Sequence, residues 1–109
     1  MEKRLENIIK ILDDKKAENI EVIDLTDKNY ITDKVIISTA LNNKHSLSLV
    51  GHLKDELVPL GEEIIMTEED DNWSIVDLGD IMIHIMTQAH REKYDIEDFL
   101  ANLEEAQEI

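Results

Sequence analysis

At 109 residues the chain can bury one hydrophobic core but not two, and 42% apolar with 34% charged residues is a globular balance that argues against wholesale disorder. It has no cysteine, which excludes disulfides, thiolate catalysis and cysteine-based zinc sites and agrees with a reducing cytoplasm. The net charge of −15 disfavours phosphate backbones and anionic lipid as partners, so neither nucleic acid nor membrane is expected to bind directly.

Leu5, Ile8, Ile9 and Leu12 fall at i, i+3, i+4 and i+7, which predicts a helix from about Glu2 to Lys16 with one apolar stripe. Charges interrupt its apolar residues, so it lacks the continuous core of a secretory signal, and no stretch approaches the ~20 apolar residues that span a bilayer. The cytoplasm is the expected compartment. Ile20 to Leu25 is β-branched and short, a strand leading into a polar loop from Thr26 to Tyr30. Lys34 to Thr39 is a second strand, whose Val35-Ile36-Ile37 run implies burial on both faces. Asn42 and Asn43 can cap the next helix, with Leu47, Val50, Leu53 and Leu57 inward until Pro59 and Gly61 stop it. Glu62 to Thr67 reads as a third strand, followed by a solvated acidic loop, Glu68-Glu69-Asp70-Asp71, without the spacing or turn glycine of a calcium site.

Trp73 to Met86 then reads as two short strands joined at Leu78-Gly79-Asp80-Ile81, where a glycine first in a two-residue loop suits a type II′ turn. That turn fixes a register. Asp77 pairs with Met82, Val76 with Ile83, Ile75 with His84, Ser74 with Ile85 and Trp73 with Met86, and paired residues share a face. One face carries Ser74, Val76, Leu78, Ile81, Ile83 and Ile85 and reads as core. The other carries Trp73, Ile75, Asp77, Met82, His84 and Met86. It suits either a second layer of helices or a docking surface, since aromatic and Met residues among a few polar groups are what interface centres use. Thr87-Gln88-Ala89 reads as a connector. The last helix begins near Asp95, a good cap, with Ile96, Phe99, Leu100 and Leu103 inward. The order helix, strand, strand, helix, three strands, helix predicts an α/β fold: an α-β-α sandwich around a mixed five-stranded sheet.

Catalytic chemistry is thin. His45 and His52 are seven apart on one helix, too far for a shared metal, and the isolated Gly51, Gly61 and Gly79 form no phosphate loop. Asp77 and Asp80, or Asp24 and Asp27, are pairs that can bind magnesium beside a nucleotide, but carboxylates at strand ends more often serve turns and caps. Charge is more informative. Residues 1–60 hold 9 Lys/Arg and 11 Asp/Glu, whereas residues 61–109 hold 2 and 15. The acidic half contains the hairpin, and its field would steer in a basic protein.

Several segments together resemble a known family: Ile20 to Asp24; Ile31-Thr32-Asp33 running into Val35 to Thr39, with Lys44-His45 beyond; Trp73 to His84; and Arg91-x-x-Tyr94-x-x-Glu97. They are similar to the ribosomal silencing factor, or Iojap-related, family over nearly all of residues 1–109. The resemblance implies a nucleotidyltransferase-like fold without that chemistry, no cofactor, and binding to the large ribosomal subunit. There the family grips ribosomal protein fourteen, a basic protein, and blocks joining of the small subunit, repressing translation under nutrient limitation. Trp73, Asp77, Asp80, His84 and Tyr94 are the protein-binding residues expected here. Homodimerisation of the free protein stays open. The sequence departs from the family pattern at Lys34, Ala40 and Leu100, where an aromatic, a glycine and a tryptophan are usual. The alternative reading is a magnesium-dependent nucleotidyltransferase-like enzyme using Asp77 and Asp80.

Overall fold

A computed structural model describes residues 2–28 and 30–103. The elements in chain order are α1 (Glu2–Asp14), β1 (Glu18–Asp24), β2 (Lys34–Ala40), α2 (Asn43–Leu57), β3 (Met66–Glu68), β4 (Trp73–Asp77), β5 (Ile81–Thr87), α3 (Gln88–Tyr94) and α4 (Ile96–Ala101), with a 3-10 turn at Val58–Leu60. The sheet is mixed and five-stranded, in the order β1-β2-β5-β4-β3. Only β2 and β5 run parallel, and the crossover between them carries α2.

The helix α1 ends without glycine. Lys16 takes φ +71°, Ala17 N–H reaches back to the Leu12 carbonyl at 2.9 Å and Lys16 N–H to Asp13 at 3.0 Å, a Schellman stop whose apolar clasp is buried Ala17 on buried Leu12. Ile11 is buried and Ile9 only half-buried, so the inner stripe is rotated from the predicted one by part of a turn. In α2 the Asn42 side chain accepts from His45 N–H at 2.9 Å, the predicted cap. Leu47, expected inward, is exposed, while Ser46 and Leu49 are buried. Ser46 can enter the core because its hydroxyl donates to Ser74 Oγ at 3.1 Å on β4.

Two apolar clusters lie on opposite faces of the sheet. Ile8, Leu12, Leu49 and Leu53 of α1 and α2 pack on Ile36, Val76, Ile81, Ile83 and Ile85. On the other face Leu25, Val35, Ile37 and Leu100 form a smaller cluster, with Ile23, Tyr30, Ile96 and Leu103 against it. Three sequence expectations change here. The connector after β5 is the helix α3, which lacks an apolar stripe because its buried side chain is Arg91. Phe99, expected inward, is exposed, since α4 has only six residues and turns Leu100 to the sheet. The third strand is also shorter than Glu62 to Thr67, pairing only from Met66, while Glu62 takes part in an ion pair with α1.

The hairpin forms in the expected register at all five pairs from Trp73↔Met86 to Asp77↔Met82. Gly79 has φ +92° and Leu78 N–H bonds Ile81 at 2.8 Å, closing the two-residue loop. The face expected as core is fully buried, from Ser74 to Leu78 and from Ile81 to Ile85. The opposite face is divided. The helices α3 and α4 lie over β2 and the Met86 end of β5, whereas Trp73, Ile75 and Asp77 of β4 and Met82 of β5 stay half-exposed.

Candidate functional site

Trp73 stands at the boundary between the covered and open parts of that face. Its indole Nε1–H donates to His84 Nδ1 at 3.0 Å, and the rings tilt together with centroids 5.9 Å apart. Trp73 and His84 are diagonal neighbours across the β4–β5 pairing, so backbone register brings the two rings together. His84 is 6% exposed, and burial pushes its pKa down to about 4. It is therefore neutral near pH 7, with Nδ1 as the acceptor and the proton on Nε2.

Tyr94, the last residue of α3, lays its ring against Trp73 with centroids 5.3 Å apart and an interplanar angle of 41°. His90, one helical turn earlier, meets Tyr94 at 5.3 Å, and Lys93 Nζ lies 5.3 Å from the same ring. The indole is thus fixed on two sides, by a hydrogen bond and by an aromatic neighbour. Trp73 and Ile75 line one shallow pocket with Glu68 and Asp70, so the open face is apolar in the middle and acidic at the rim.

The two aspartates behave differently. Asp77 is on the same face as Trp73 but at the far end of β4, where one carboxylate oxygen accepts from Gly79 N–H at 2.8 Å and shapes the turn. Asp80 turns to α1: Arg4 donates to its two oxygens at 2.6 and 2.9 Å and to both Glu62 oxygens at 2.8 and 2.9 Å. Arg4 holds the Asp80 carboxyl below the usual carboxylate range. The structure therefore brings Trp73, His84 and Tyr94 into one cluster, keeps Asp77 on their face, and commits Asp80 to a clasp between α1 and the hairpin turn. No group of three or more His, Asp or Glu among the described residues is arranged to hold a metal. His90 joined the cluster without having been singled out; its i, i+4 spacing from Tyr94 was the available signal.

The three positions where the sequence departs from the pattern it otherwise resembles are each ion-paired or buried. Lys34 faces Asp24 across the β1–β2 pair, with Nζ 2.7 Å from Oδ1, and its bond is the first cause holding the Asp24 carboxyl below its usual range. Ala40 and Leu100 are both buried, one in each apolar cluster.

A second cleft, of about 610 Å³, lies between β1 and the α3–α4 pair, away from Trp73. Buried Arg91 lines it and is held by this chain's own groups: Nη1 donates to the Asn19 carbonyl at 2.6 Å and Thr39 Oγ1 at 2.9 Å, and Nε to Glu97 at 3.2 Å.

Taken together, a mixed five-stranded sheet with flanking helices, holding a fixed aromatic cluster at the edge of a half-open face, defines a small α/β domain with one partly uncovered sheet face. The family profile described as ribosomal silencing factor during starvation matches residues 1–109, and the chain belongs to that family of translation regulators, which are not enzymes. It is 31% identical over 91 residues to the ribosomal silencing factor of Chromobacterium violaceum, covering 82% of this chain and 75% of that one. A crystal structure of a protein from the same organism superposes with a TM-score of 0.86 at 26% identity, covering 99% of this chain and 88% of the other. A mouse protein named mitochondrial assembly of ribosomal large subunit protein 1 is 27% identical over 100 residues, covering 85% of this chain and 43% of its own length.

Proposed function

We propose that this chain represses translation by docking on the large ribosomal subunit at ribosomal protein fourteen, where its bulk blocks joining of the small subunit under nutrient limitation. The observation that carries the reading is the indole of Trp73, held by His84 and Tyr94 at the edge of an uncovered, acid-rimmed sheet face. A rigid aromatic anchor loses little freedom on binding, and a carboxylate rim suits a basic partner. The name of the mouse relative, which refers to the large subunit, supports the same target. In this reading the docking residues are Trp73, Asp77 and Tyr94, with His84 orienting the indole, and Asp80 acting through the hairpin turn. The protein works in the cytoplasm, on a nucleotidyltransferase-like scaffold without nucleotidyl chemistry. The competing enzymatic reading loses ground because both of its carboxylates are engaged within the chain, Asp77 by Gly79 and Asp80 by Arg4.

Co-sedimentation with purified large subunits tests this. Trp73→Ala is expected to weaken binding by ~2 kcal/mol or more, as buried aromatic anchors do, and Glu69→Ala on the acidic loop by little. Asp77→Asn should also weaken binding while keeping an acceptor for Gly79. If folded Trp73→Ala and Asp77→Asn proteins both sediment with large subunits as the wild type does, the open face is not the docking surface.

A further inference from the structure

We propose that Arg91 and Glu97 are positioning residues for the aromatic surface: they lock the break between α3 and α4 and thereby hold Tyr94 against Trp73. The geometry stands by itself, while the consequence for binding rests on the docking reading above.

The helix α3 has seven residues, and the one buried side chain in it is Arg91. Apolar packing therefore does not anchor this helix, and the guanidinium does. Its nitrogens reach three other elements: the Asn19 carbonyl and Glu21 of β1 at 2.6 and 3.5 Å, Thr39 Oγ1 of β2 at 2.9 Å, and Glu97 of α4 at 3.2 Å. Glu97 answers from six residues on. In a continuous helix that spacing is about 9 Å of rise and roughly 240° of rotation, which would point the two side chains apart. They meet because Asp95 adopts φ +43° and ψ +54°, ends α3 by donating its N–H to the Arg91 carbonyl, and accepts from Asp98 N–H to start α4.

Tyr94 sits immediately before that left-handed residue and three positions after Arg91, so the placement of its ring follows from the placement of the break. Tyr94 is 48% exposed, and its ring neighbours besides Trp73, His90 and Lys93, belong to its own helix and move with it. Glu97 Oε1 is buried with no hydrogen-bond partner, so the carboxylate is held on one side, through its bond to Arg91. A neutral amide at position 97 keeps the shape and weakens the lock.

Trp73 is the single tryptophan of the chain, so indole fluorescence, excited selectively at the red edge where tyrosine does not absorb, reports on this cluster alone. In Glu97→Gln, with far-UV circular dichroism unchanged, acrylamide quenching of Trp73 is expected to rise about twofold and affinity for purified large subunits to fall about fivefold, the scale of couplings carried through intermediate residues. Tyr94→Ala should reproduce both effects, and the double variant should add nothing to either. Unchanged quenching in folded Glu97→Gln overturns the proposal, as does a double variant whose losses multiply. Should Glu97→Gln not fold, Arg91→Lys, which keeps the charge but loses the planar fork, is judged by the same criteria. Wild-type affinity in Trp73→Ala would defeat the docking reading instead, and quenching would then decide the positioning role by itself.

Discussion

Burial of His84 beneath the indole of Trp73 lowers its pKa from 6.5 to about 4. The unfolded chain therefore takes up a proton at His84 below about pH 6.5, and the folded chain only below about pH 4. Stability contributed at neutral pH falls as pH drops through that window and levels off beneath it, by about 3 kcal/mol in all. Urea unfolding at pH 7 and pH 4.5 should show wild type losing about 2 kcal/mol more than His84→Gln, which keeps an acceptor for the indole and cannot titrate. Equal losses in the two proteins would mean that His84 is not the buried neutral group described here. The same residue illustrates how far sequence reasoning reached. The hairpin register puts His84 on one face with Trp73, but that their side chains bond, and that Tyr94 packs against the indole, is seen only in the folded chain, where a helix without an apolar stripe carries Tyr94.

Among the elements, β4 and β5 were legible because a single feature, glycine in a two-residue loop, sets every pair behind it. The joint between α1 and α2 was not. His45 Nδ1 accepts from Leu41 N–H at 2.9 Å, and its Nε2, protonated in consequence, donates to the Lys15 carbonyl at 2.8 Å. One imidazole thus ties the end of α1 to the turn that enters α2, satisfying two backbone groups that neither helix satisfies itself. His45→Ala is expected to cost about 1 to 3 kcal/mol in urea unfolding and to speed hydrogen exchange at the Leu41 amide above its neighbours. An unchanged Leu41 exchange rate would remove the staple. In the sequence His45 is legible only as a polar residue near a helix start, and one of its two backbone partners, Lys15, lies on a segment that the chain order alone does not bring to it.

The whole molecule is electrically lopsided, with 15 Asp/Glu and 2 Lys/Arg after residue 60, and the open face of the sheet belongs to that half. Several of the carboxylates are engaged internally: Glu62 and Asp80 with Arg4, Glu69 with Lys54, and Asp71 with Asn43. Glu68 and Asp70 are left to border Trp73 and Ile75, while Asp77, at the far end of β4, has one oxygen on the hairpin turn. Their attraction for a basic partner acts over roughly 8 Å at physiological ionic strength and is screened beyond it. Stopped-flow association with large subunits should accordingly slow with added salt, while dissociation changes little. A salt-independent association rate would show that the acidic half does not steer.

Local rules were enough for the sequence to determine the mixed α/β class, both faces of the hairpin, the Asn42 cap and the Pro59–Gly61 stop, because each depends on residues near one another in the chain. The surplus of acid after residue 60 and the motif segments that resemble the silencing factors were equally plain in it. Tertiary structure decided the rest. α3 is held by a buried guanidinium whose partners lie as far as 72 residues away, and no periodic pattern announces such a helix. Whether the Trp73 face would be covered was likewise undecidable from alternation, since a strand's outward residues look the same under a helix as under solvent. The short α3 and α4 cover only the part of the sheet they reach, and that leaves Trp73 at their edge, packed on one side and open on the other.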